Sequence, residues 1–154
     1  MTALVSVEEY FYMLEKSDVK LEYHAGSIVA MTGAQPAHNR ICIRLAYLFE
    51  DCLQTGQCIV LNSDQLVKIE AFQKYTFPNL VIVCEDAIYE KSPNGLDALE
   101  NSSIIIEVSS DSTEFYDRTD KFYCYQTLIS LKEYVLISSK KKQVEVFKRF
   151  NEKE

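Results

Sequence analysis

The sequence is short of the features that mark an unusual chain. It holds only four glycines and three prolines, and nothing in it suggests a fibrous or low-complexity protein. No apolar run approaches the length of a membrane span. Met1-Thr2-Ala3-Leu4-Val5-Ser6 lacks the basic flank and long apolar core of a signal peptide. The expectation is a cytoplasmic protein with no membrane partner. Close cysteine pairs are missing too: Cys42, Cys52, Cys58, Cys84 and Cys124 are odd in number and form no CxxC. That argues for reduced core thiols and against a zinc or disulfide framework. Positive charge is also scarce. The net charge of −7 is not that of a non-specific nucleic-acid binder, which is usually basic over its contact face. Lys140-Lys141-Lys142 with Lys148 and Arg149 forms a basic cluster that reads as a solvated hairpin turn.

What is present is an ordinary globular composition, 47% hydrophobic and 25% charged, in a length that suits one domain over residues 1–154. Ser6-Val7-Glu8-Glu9 matches a capping box, and Val7, Tyr10, Phe11 and Leu14 predict a short helix to about Lys16. Leu21 to His24 and Ile28 to Met31 flank Ala25-Gly26 as a hairpin, with Glu22 on its first strand. From Pro36 the period changes: Ile41, Leu45, Leu48, Phe49 and Cys52 predict a helix that stops before Gly56. Arg40 and Arg44, one turn apart on it, are candidate contacts for a polyanion, although exposed surface arginines are commoner.

Cys58 to Leu61, Leu66 to Ile69 and Tyr75 to Cys84 read as three strands in an antiparallel meander, and residues 85–101 as a loop that could hold one helical turn. A helix is predicted from about Glu114 to Leu128, and a closing hairpin from Tyr134 to Phe147. The order implies an α/β layer fold: a mixed β-sheet flanked by helices, with N-terminal and C-terminal β-hairpins.

The chemistry centres on Ile104-Ile105-Ile106-Glu107-Val108-Ser109, a β-branched run that carries a carboxylate near its end. A buried unpaired carboxylate costs several kcal/mol, so Glu107 needs a cation, a metal or water beside it. Asn79, at the entry of the strand Leu80 to Cys84, and the Val108 carbonyl could share one hard cation with Glu107, and Glu22 could complete the set from the hairpin. Lys121, on the following helix, would then polarise a water or stabilise charge on phosphorus. The bland alternatives are a strand glutamate salt-bridged to Lys121 or Arg118, a surface lysine, and a turn asparagine after proline. Tyr116, Tyr123 and Tyr125 could stack on bases, but such aromatics are more often core.

Several stretches together carry a family resemblance. They are Glu22-Tyr23-His24-Ala25-Gly26, Met31-Thr32-Gly33-Ala34 with His38-Asn39, and Ser63-Asp64; then Phe77-Pro78-Asn79-Leu80-Val81-Ile82-Val83-Cys84 and Ile106-Glu107-Val108-Ser109 with Ser112-Thr113. Tyr116-Asp117-Arg118 with Lys121 and Leu131-Lys132-Glu133-Tyr134-Val135-Leu136 complete the set. The chain thus resembles the Uma-type putative restriction endonucleases of the PD-(D/E)XK nuclease superfamily. The resemblance implies a restriction-endonuclease-like fold and Mg²⁺- or Mn²⁺-dependent hydrolysis of DNA phosphodiesters. It implies an aspartate after the proline and the strand glutamate as metal ligands, and Lys121 as a lysine migrated from the position held here by Ser109. DNA is the implied partner, with Arg40, Arg44 and Arg118 as candidate contacts. Homodimers are common among such nucleases, and no residue pattern marks an interface.

This chain departs from the pattern where the family has its aspartate, because that residue is Asn79. At an effective dielectric of about 20, a unit charge at about 4 Å is worth roughly 4 kcal/mol, on the order of a thousandfold in metal affinity. The expectation is a nuclease with a degenerate metal site, or alternatively an inactive nuclease-fold protein serving as a DNA-binding or protein-interaction module. Whether Glu22 or Asp64 compensates for Asn79 is open at this level.

Overall fold

The stretch from Lys74 to Val83, continuous in its apolar character, is cut at Phe77-Pro78-Asn79, and the cut separates two sheets. They are seen in a computed structural model that describes residues 3–150. The first sheet has six strands in the order β2 (Ser27–Ala30), β1 (Leu21–His24), β5 (Lys74–Thr76), β4 (Val67–Ile69), β8 (Ala98–Leu99) and β7 (Tyr89–Glu90). The second has five, in the order β11 (Val144–Lys148), β10 (Glu133–Ser138), β9 (Ile104–Ser109), β6 (Leu80–Val83) and β3 (Ile59–Leu61). Both sheets are mixed: β4 runs parallel to β8, and β9 parallel to β10, while every other pairing is antiparallel.

The predicted α/β layering holds, with both hairpins in place, but one sheet has become two. The expected meander does not form. Strand β3 pairs with β6 in the second sheet, whereas β4 pairs with β5 in the first. Proline explains the break, since Pro78 has no N–H to continue a ladder. The expected loop over residues 85–101 contains β7 and β8, each two residues long and too short to show a period.

Helix α1 (Val7–Lys16) begins as its sequence predicts. Ser6 accepts from the Glu9 N–H, and the Glu9 carboxylate accepts from the Ser6 N–H. It buries Tyr10 and Phe11 in an aromatic cluster with Tyr23 and Tyr75 of the first sheet and Phe77 just beyond β5. Helix α2 (Pro36–Leu53) lays Leu45, Ala46, Phe49 and Leu53 against Leu80, Ile82 and Ile106 of the second sheet. The helix expected over 114–128 is two pieces, α3 (Glu114–Arg118) and α4 (Asp120–Tyr125). They break at Thr119, whose hydroxyl donates to the Phe115 carbonyl at 2.7 Å, a local bond that competes with a continuous helix.

Cys58 and Cys84 are joined in a disulfide across β3 and β6, a correction to the expectation of reduced thiols throughout. The register explains it. Ile59 faces Val83, so the next residues out along the antiparallel pair are Cys58 and Cys84. Cys42, Cys52 and Cys124 are free.

Candidate active site at the junction of the sheets

Glu107 lies on β9, flanked by β10 on one side and β6 on the other, and is 3% exposed. Burial is the main reason its carboxyl is pushed up to about 7, and the nearby negative charges of Asp117 and Glu22 add to it; Lys121 acts in the opposite direction. The Lys121 ammonium stands 3.2 Å from Glu107 Oε1 and 3.4 Å from Asp117 Oδ1. Burial opposes the charge on Lys121, but the three carboxylates outweigh it and hold its pKa above the ordinary lysine range. Glu107 therefore has Lys121 as its cation. Arg118, the other candidate partner, is paired with Glu145 and Glu114.

The geometry of the Thr119 break still leaves Asp117 and Lys121 within reach of each other. Asp117 is held in turn by the Ser109 hydroxyl, which donates to its Oδ2 at 2.9 Å, so Ser109 orients the acid that holds Lys121. Tyr125 donates to Glu107 Oε1 at 3.4 Å and lies 3.0 Å from the Thr76 hydroxyl. The ring of Tyr116 lies 5.7 Å from the Lys121 ammonium. Tyr125 is thus part of the site from the core side, whereas Tyr123 points outward against Phe72.

Glu22 reaches the junction from the first sheet. Its Oε1 accepts from the Phe77 N–H at 2.9 Å and its Oε2 lies 3.0 Å from His24 Nε2. Burial works against its charge, yet the His24 hydrogen bond, the Lys121 ammonium and the Phe77 N–H together hold its pKa below the ordinary value. Asp64 is not brought in, since it is exposed and paired with Lys20.

Asn79 is close to Glu107 through the backbone. Its Oδ1 accepts from the Val108 N–H at 2.8 Å. In an extended strand the N–H and C=O of one residue project to the same side, so the Val108 carbonyl also faces the end of β6. Carrying the Leu80–Ile106 register two residues further sets Pro78 against Val108, and proline offers that carbonyl no donor.

Mg²⁺ or Mn²⁺ takes one or two carboxylates with carbonyls, waters and substrate oxygens rather than a full protein cage. Glu107 and the Val108 carbonyl fit that demand. Asn79 fits it poorly, because its oxygen already accepts from Val108, and both Glu22 oxygens are engaged. Among the described residues no three His, Cys, Asp or Glu side chains gather closely enough to cage an ion.

Arg40 and Arg44 stand apart from this constellation. Cys42 lies on the side of α2 that feels the Glu107 charge, and burial and Glu107 raise its thiol to about 11. Helical spacing puts Arg40 and Arg44 on the opposite side, where Arg44 lies 5.7 Å from the Tyr47 ring. A surface cavity of about 270 Å³ between Phe122, Tyr134 and Phe147 is not lined by Glu107 or Lys121.

Asp117, Ser109, Tyr125, Thr76 and His24 are the members that sequence reasoning did not assign to the site. The signal for Asp117 was its spacing four residues before Lys121. For His24 it was the alternation that sets it on the same strand face as Glu22.

Comparison with known proteins gives the family and the fold. Residues 7–153 match the Uma2 family, described as putative restriction endonuclease. The uncharacterized protein slr1290 of Synechocystis sp. is 34% identical over 143 residues, covering 93% of this chain and 73% of that protein. The uncharacterized protein sll1609 of the same organism is 28% identical over 153 residues, covering 99% of this chain and 85% of that one. A crystal structure of a putative nuclease belonging to DUF820 from Anabaena variabilis superposes with a TM-score of 0.72 at 16% identity, covering 94% of this chain and 80% of that one. That likeness is one of fold.

Proposed function

The chain belongs to the Uma2 family of putative restriction endonucleases, and from that premise we propose that it is a DNA nuclease with a weakened divalent-metal site. The observation that carries the reading is the buried pair Glu107–Lys121, set beside a Val108 carbonyl that faces a proline. Glu107 and Val108 would hold Mg²⁺ or Mn²⁺, with Asn79 and Glu22 as its more distant neighbours. When bound, such an ion supplies Lewis acidity toward a phosphate oxygen and lowers the pKa of a bound water.

The chain's own groups would do the rest. Lys121, fixed by Asp117 and Glu107, is placed to orient the attacking water or to stabilise charge on the phosphoryl oxygens. Asp117, locked by Ser109, acts through Lys121 as a positioning residue. With Arg118 tied to Glu145 and the arginines of α2 turned away, contacts to DNA near the cut would fall to other residues.

One observation favours a second reading, an inactive nuclease-fold protein kept for binding. Asn79 carries no charge, and its oxygen serves the Val108 backbone in place of a metal.

Cleavage of supercoiled plasmid in Mg²⁺ and in Mn²⁺ by the natural chain, by Asn79→Asp and by Glu107→Ala separates the two. Cutting by the natural chain that Glu107→Ala abolishes supports the nuclease. Cutting by Asn79→Asp alone supports the inactive reading. Cutting that survives Glu107→Ala, or none by any variant, removes the assignment of chemistry to this site.

A further inference from the structure

Helix α2 is the longest helix of the chain, and none of its 18 residues is fully buried. One side lies on the second sheet; the other carries Arg40, Ile43, Arg44, Tyr47 and Asp51, spaced at three and four residues so that they form one stripe. Ile43 is 73% exposed and Tyr47 60%, with Leu48 at the edge of the stripe also exposed. Among the described residues no element covers this face.

The stripe is ordered by charge. Arginines occupy its N-terminal half, apolar residues its middle and Asp51 its C-terminal end, with Glu50 alongside. Such an order is self-complementary in one orientation only. If two copies of α2 lie antiparallel about a two-fold axis at the level between Leu45 and Ala46, Arg40 of each meets Asp51 of the other, Ile43 meets the ring of Tyr47, and the stem of Arg44 lies along Leu48. A parallel pair would set Arg40 against Arg40 and Asp51 against Asp51, which disfavours it. We propose that the outer face of α2 is a homodimer interface, formed by the antiparallel packing of this helix on the same helix of a second copy.

The occupant follows from the chemistry. A nucleic acid would use the arginines but leave Ile43 and Leu48 against water or phosphate and bring Glu50 and Asp51 toward a polyanion. A second copy satisfies all of them at once, by a symmetric interface in which each contact occurs twice. One helix pair is a modest interface, so the dimer belongs to the micromolar range of dissociation constants.

Sedimentation equilibrium of the natural chain across the micromolar range is the test, with Arg40→Glu, Asp51→Arg and the double variant beside it. All of these positions are exposed, and circular dichroism checks that each variant folds. The natural chain should dimerise. Each single charge reversal should weaken the dimer by on the order of tenfold or more, counting two symmetric contacts. The double variant should recover it, because the reversed charges again face their opposites. A natural chain that stays monomeric overturns the proposal. So does a dimer indifferent to the single variants, or a double variant that fails to recover. Loss of DNA affinity in Arg40→Glu with no change in mass would also overturn it, making the face one for nucleic acid.

Discussion

The Lys121 ammonium bridges Glu107 and Asp117, at 3.2 and 3.4 Å, and the three groups are almost completely withdrawn from water. One cation thus serves two buried carboxylates, with Glu22 near enough to add to the field on it. The balance is tight, and removing one member should have a definite sign.

Lys121→Met should destabilise the fold by about 3–5 kcal/mol, because it leaves buried carboxylates without their cation. Urea denaturation at neutral pH measures this. At low pH, where the acids take up protons, the deficit should shrink.

Glu107 sets a pH window. Its folded carboxyl titrates at about 7 against an ordinary value of 4.5, so the native state binds this proton more tightly than the unfolded chain does. The associated stability is fully present below pH 4.5 and is lost as the pH rises toward 7, by roughly 3 kcal/mol at most. Glu107→Gln removes the titrating group and should flatten that part of the stability profile, as read from denaturation at pH 5 and pH 8.

Asn79→Asp should restore a charged ligand. Its apo form should melt lower than the natural chain, since a second carboxylate enters beside Glu107. Its affinity for Mg²⁺ or Mn²⁺ should rise by on the order of a thousandfold. Calorimetric titration, together with melting in the ion and in chelator, reads both changes.

The Tyr125 hydroxyl is shared between Thr76 and Glu107, one from each sheet. Tyr125→Phe should cost about 1 kcal/mol, the loss of a buried hydrogen bond that leaves its partners short. An unchanged denaturation midpoint would show that this link carries no stability.

Reduction of Cys58–Cys84 should lower stability by about 2–4 kcal/mol, as opening a cross-link generally does. Paired denaturation curves with and without reductant measure the cost. In a Cys58→Ser, Cys84→Ser variant the reductant should have no effect.

The local signals in the sequence were strong where chemistry is local. The capping box at Ser6, the turn at Ala25-Gly26 and the period of α2 each depend on residues within a few positions, and all appear as read. Glu107 was legible because a carboxylate in a β-branched run demands a partner, and Lys121 because it follows on the returning helix. What stayed hidden was long-range. Nothing local says that Lys74 to Thr76 and Leu80 to Val83 enter different sheets, although Pro78 marks the point. The disulfide joins residues 26 apart whose opposition exists only once β3 has paired with β6. Asp117 lay in a stretch that carried the resemblance but had no role assigned to it, because its burial depends on Ser109 and on packing against β9 and β10.

The division of the chain at Phe77-Pro78-Asn79 also bears on the order of folding. The Glu22 carboxylate bonds the Phe77 N–H across 55 residues of sequence, and Asn79 bonds the Val108 N–H across 29. Closing loops of that size is entropically costly and comes after the local hairpins have formed. Both closures meet on the same three residues, which fasten Glu22 of the first sheet and β9 of the second to one short segment. Glu107 and Lys121 both belong to the side of the second sheet, so it is the arrival of Glu22 from the first sheet that completes the cluster, and the size of the loops predicts that this comes late in assembly.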